Sequence, residues 1–123
     1  MVLNEEKKTL ADHHFEDGKK LKDEGNHKDA LKAFRKAFNR HKKISIVSSA
    51  VDLSEIANCQ KEIGNLKMAE KAFFEAEQAF ISTGCNNEDL AVCLIGRADL
   101  LIYKGIYPDA KPLYERALDI LEK

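Results

Sequence analysis

Apolar side chains recur along this chain at intervals of three and four residues, in blocks separated by short polar breaks. That spacing lays them along one face of a helix, and no pair of alternating β-branched runs is joined by a hairpin turn. The pattern predicts six helices and no strand. Glu5 to Glu24 carries a thin stripe of Leu10, His14, Phe15, Gly18 and Leu21. Lys28 to Lys43 is strongly two-faced, with Ala30, Leu31, Phe34, Ala37, Phe38 and His41 opposite Lys28, Lys32, Arg35, Lys36, Asn39 and Lys43. Ile46 to Ile63 and Lys67 to Ile81 follow, and then Asn87 to Lys104 and Pro108 to Lys123.

The breaks between blocks carry helix punctuation. Gly25-Asn26 and Gly64-Asn65 each read as a glycine that stops one helix followed by an asparagine that caps the next. Gly105 stops the fifth helix, and Pro108 falls in the first turn of the sixth, where its missing N–H costs little. Ser82 to Asn87 is built from turn formers, and Asn86 or Asn87 is placed to cap the fifth helix, with Glu88 and Asp89 at its positive end. The boundary near Ile44-Ser45 contains neither Gly nor Pro and is the softest of the set.

One spacing occurs three times. Gly25 is followed by Ala30, Phe34 and Ala37, Gly64 by Ala69, Phe73 and Ala76, and Gly105 by Ala110, Tyr114 and Ala117. The offsets are five, nine and twelve residues each time. A simple bundle has no need of the same motif three times, so the repeat predicts stacked helix pairs. The chain divides into one domain of residues 1–123, with repeats at about 5–43, 46–81 and 87–122.

This frame resembles the tetratricopeptide repeat over nearly the whole chain. Seven residues before each turn glycine stand Gly18, Ala57 and Ala98, and eleven before stand His14, Leu53 and Leu94, at the small and large core positions of that family. The turn glycines are 39 and then 41 residues apart, against about 34 in the ordinary repeat. The long third repeat is most similar to those of kinesin light chains. The paired asparagines of that variant are absent, since Ile95-Gly96 stands there, and Gln60 replaces a usual apolar or aromatic residue. The resemblance implies an all-α solenoid of three antiparallel helix pairs in a right-handed superhelix, whose first helices line a concave groove.

Groove-facing positions of the family fall on Asp12, Phe15, Lys19, Lys22 and Asp23, on Val51, Ser54, Asn58, Lys61 and Glu62, and on Val92, Ile95, Asp99, Ile102 and Tyr103. Such a groove would grade from charged to apolar, with Asn58 at its middle able to bond a peptide backbone. The implied partner is a peptide or helix of another protein. The family's clamp for a chaperone tail is not reproduced: Phe15, Lys19, Glu55, Val92 and Gly96 stand where its lysines, asparagines and last basic pair belong.

Charge adds a second possibility. The formal net charge is -1, which argues against nucleic-acid binding by the chain as a whole. Up to Lys43 the net is nevertheless +4, and from Ile44 on it is -5. The basic face of residues 28–43 is therefore an alternative site for an anionic partner, nucleic acid or acidic protein, or for head-to-tail contact between copies.

Enzymatic chemistry finds little support. His13 and His14 are adjacent and point apart, so they lack the i, i+4 spacing of helical metal ligands. Cys59, Cys85 and Cys93 form no close pair and have no activating histidine nearby in sequence. No cofactor, metal or catalytic residue is expected. The unpaired cysteines, the absence of an apolar leader and the short apolar runs fit a cytoplasmic protein with no membrane segment. The last helix keeps Leu113, Leu118, Ile120 and Leu121, a patch expected to be covered by a second copy, another protein or further residues.

Overall fold

The computed structural model describes residues 2–123, with side chains described from residue 9 onward. It is all-helical: α1 Val2–Asp23, α2 His27–His41, α3 Ile46–Ile63, α4 Leu66–Ser82, α5 Glu88–Tyr103 and α6 Tyr107–Glu122. Each helix packs on its neighbours in sequence, and α3 also reaches α5. Contacts that run from one helix to the next are those of a helical repeat arrangement.

The turns follow from the sequence. At the end of α3, Gly64 has a φ of 101°, a conformation that a side chain would strain. This lets Asn65 N–H reach back to the Gln60 carbonyl at 2.8 Å, closing the helix end. The same bond from five residues back recurs at Asn26, Cys85 and Ile106. Asn26 caps α2 by accepting from Asp29 N–H at 3.4 Å, and Asn87 caps α5 by accepting from Asp89 N–H at 3.0 Å.

Asn65 does not cap α4 as expected. Its side-chain amide instead donates to Gln60 Oε1 at 2.9 Å. Gln60 is almost fully buried, and a buried amide oxygen without a partner would be costly. The soft boundary at Ser45 gains its definition from Ser45 itself, whose hydroxyl caps α3 by accepting from Ser48 N–H at 3.2 Å.

The core is built on the repeated small–aromatic–small sets. Ala30, Phe34 and Ala37 are fully buried, as are Ala69, Phe73 and Ala76. Phe34 lies across Gly18, where an added Cβ would come within 2.7 Å of its ring, and meets Phe15 edge-on at 5.5 Å. Phe73 reaches into the next pair and lies across Gly96, where a Cβ would come within 2.6 Å. Tyr114 differs. It is half-buried, and its hydroxyl donates to the Asp99 carboxylate.

Candidate functional site

The positions expected to line a groove lie on α1, α3 and α5. Lys22 of α1 pairs with Glu55 of α3 at 2.9 Å, and Asn58 of α3 donates to Glu55 at 3.5 Å. A Cβ at Gly96 of α5 would approach Asn58 Oδ1 to 3.4 Å as well as the Phe73 ring. Glycine at 96 therefore holds the backbone of α5 close to α3. A glycine inside a helical pattern was the available signal for that approach.

Several expected contact residues are committed to the fold. Ser54 is buried, and its hydroxyl donates to the Ala50 carbonyl at 3.3 Å. It cannot also line an open surface, a correction to the sequence reading. The reason is local: a serine inside a helix readily returns its proton to the preceding turn. Phe15 is half-buried against Phe34, with the Lys19 ammonium 5.7 Å from its ring centre. Lys61 is half-buried beside Glu62 at 3.8 Å.

Asp99 accepts from Tyr114, and that hydrogen bond, with burial and the carboxylate charge, pushes the phenol up to about 12. Ile95 is partly buried against the core. Val92, Ile102 and Tyr103 remain exposed on α5, Tyr103 by 67%. Ile106 and Tyr107, which follow the turn, are also exposed.

Two ionic joints, each centred on a buried side chain, were not read from the sequence. His41, at the end of α2, places Nδ1 2.6 Å from Asp52 of α3 and Nε2 2.9 Å from Asp12 of α1. Asp12, assigned to the groove, thus turns toward His41. Burial works against a charged His41 ring, but its bonds to Asp12 and Asp52 outweigh it and raise its pKa above 6.5. Burial also pushes Asp52 up to about 6, against the pull of His41. Asp52 Oδ1 is buried without a partner. In the second joint, Glu77 of α4 meets Arg97 of α5 at 2.5 Å and Arg116 of α6 at 3.4 Å. A polar residue within an otherwise apolar helix face marks each joint, but its partners are distant in sequence.

A third cluster lies on the first pair. His14 of α1 faces Lys36, Asn39, Arg40 and Lys43 across an open cavity of about 530 Å³. Burial, then the nearby Arg40 and Lys36 charges, lower the pKa of His14.

Cys59 and Cys93 are buried, and burial pushes both thiols up to about 11, far from a reactive thiolate. Among the described residues no group of three or more His, Cys, Asp or Glu is placed to hold a metal ion. Nor is any helix among them long and apolar enough to cross a membrane. On α6, Leu118 and Leu121 are exposed as expected, whereas Leu113 and Ile120 pack partly against the core. No protein-family model matches the chain, and no curated protein matches it in sequence.

Proposed function

We propose that this chain is a tetratricopeptide-like interaction module that binds a peptide or helix of a partner protein along the α1–α3–α5 face. The observation that carries the reading is the exposed apolar column of Val92, Ile102 and Tyr103 on α5. It adjoins Asn58 across the close α3–α5 approach at Gly96. Exposed aromatic and aliphatic side chains beside a polar group that can reach a backbone are what a segment-binding surface needs. The ion pair between Lys22 and Glu55 braces the α1–α3 side of that face. An adaptor or scaffold role in the cytoplasm is the corresponding cellular reading.

Affinity capture from lysate of the native cell, followed by measured affinity for the captured partner, tests the proposal. Asn58→Ala/Tyr103→Ala should lose the partner while keeping its helicity and thermal midpoint. Identical partner sets and affinities for the two proteins would remove this face as the site. Lys67→Gln on α4, outside the α1–α3–α5 face, should leave capture unchanged.

A further inference from the structure

The cavity between α1 and α2 has a composition that the groove reading does not use. Its described lining is His14, Lys36, Asn39, Arg40 and Lys43: every one can donate a proton, and none is a carboxylate. Lys36, Arg40 and Lys43 follow one another at intervals of four and three residues, so they share a face of α2 and its end. Elsewhere the buried or bridging cations have partners: Lys22 with Glu55, Arg97 and Arg116 with Glu77, and Lys104 with Glu70. Among the described residues, no carboxylate lies within ion-pair distance of Lys36, Arg40 or Lys43.

Cations in the last turn of a helix complement its dipole, and this accounts for Arg40 and Lys43 alone. It does not account for the α1 wall. There burial and two nearby cations oppose protonation of a half-buried imidazole, outweighing the one carboxylate, Asp17, that favours it. An oxyanion in the cavity would reverse that arrangement, because it accepts from the cations and favours the protonated ring.

We propose that His14, Lys36, Asn39, Arg40 and Lys43 form a binding site for a single phosphate monoester, carried as a phosphorylated side chain of a partner protein. The size of the anion follows from what surrounds the cavity. The adjoining cavity shares His14 and Lys36 but is also lined by Asp17, Glu24 and Asp29. Lys20 and Lys32 line it too, so on that side three carboxylates alternate with the cations and break the positive surface. An extended polyanion, nucleic acid or charged bilayer would have to run across them, whereas one compact dianion does not. The site shares no residue with the α1–α3–α5 face and stands independently of that reading.

The test follows the His14 ring by NMR in the full chain while probes are added. These are inorganic phosphate, a capped Ala-phosphoserine-Ala peptide, its unphosphorylated form, a twelve-nucleotide RNA, and phosphatidylserine–phosphatidylcholine vesicles. Phosphate and the phosphopeptide should raise the His14 pKa and saturate, while the unphosphorylated peptide should do neither. Lys36→Gln/Arg40→Gln should weaken phosphopeptide binding by about tenfold or more, since two charge-assisted contacts are lost. Both positions are exposed, so helicity and thermal midpoint should hold, and Lys67→Gln on α4 should bind as wild type.

Three results would overturn the proposal. The first is a His14 ring that ignores phosphate and phosphopeptide, or responds equally in the double variant. The second is RNA or vesicles binding more tightly than the peptide with the same variant sensitivity, which would mark a polyanion surface. The third is phosphate binding without phosphopeptide binding, which would mark an adventitious ion only.

Discussion

The seam between α2 and α3 and the seam between α4 and α5 solve one problem with opposite charges. At the first, a buried imidazole ring is held between two carboxyl groups, Asp12 and Asp52. At the second, a buried carboxylate, Glu77, is held between two guanidinium groups. The difference lies in what can change state and what can reach water. Asp52 is pushed up to about 6 and the His41 pKa is raised above 6.5, and Asp52 is fully buried. Arg97 and Arg116 keep their charge at any ordinary pH, and their side chains are 38% and 46% exposed. The first joint therefore depends on conditions and leaves Asp52 sealed when it breaks, while the cations of the second keep their charge and can fall back on solvent.

The aromatic anchors separate the seams most strongly. Phe34 is seated within its own pair on Gly18, whereas Phe73 crosses the second seam to Gly96. Both rings are fully buried, so Phe34→Ala and Phe73→Ala should each cost about 3–5 kcal/mol in chemical denaturation. Hydrogen exchange should distinguish them: Phe73→Ala should lower protection in α5 and α6 before α1, and Phe34→Ala should do the reverse. Uniform loss in both would mean that the seams do not open separately. Tyr114→Ala should cost less, about 1–2 kcal/mol, because that ring is only half removed from water.

Next in size is the loss of each joint's central residue. His41→Ala leaves Asp52 buried with no partner, and such a break costs about 3 kcal/mol. Glu77→Ala releases two arginines that can rehydrate, so about 1 kcal/mol is expected. Urea midpoints at pH 7 measure both. Equal losses would remove the distinction between a sealed joint and an open one.

What the sequence made legible was whatever is local. Helix stops at Gly25, Gly64 and Gly105, the caps at Asn26 and Asn87, and the buried Ala–Phe–Ala sets all follow from spacing within one repeat. Asn65 departed because Gln60, five residues away, claimed its amide. The joints were hidden for a stronger version of the same reason. Asp12 lies 29 residues from His41, and Glu77 lies 39 from Arg116. Nothing local tells a buried aspartate from a solvated one. The candidate face was legible only as positions: exposed Val92 and Tyr103 suit it, whereas Ser54 belongs to the interior.

The smallest expected effect is the pH dependence of the first seam. Asp52 has a folded pKa of about 6, above its ordinary 3.8. The native state thus keeps a proton that the unfolded chain releases, and stability falls as pH rises between those values. His41 is also raised, above 6.5. Its contribution is fully present below 6.5 and is lost as pH rises through its folded value. Both groups therefore tilt stability the same way, downward from acid to neutral and beyond. Asp52→Asn removes the lower window and keeps a side chain of similar shape beside His41. The stability difference between wild type and Asp52→Asn should shift by on the order of 1 kcal/mol in favour of the variant as pH rises from 4 to 6.5. A flat difference for Asp52→Asn would remove the first seam as a titrating one.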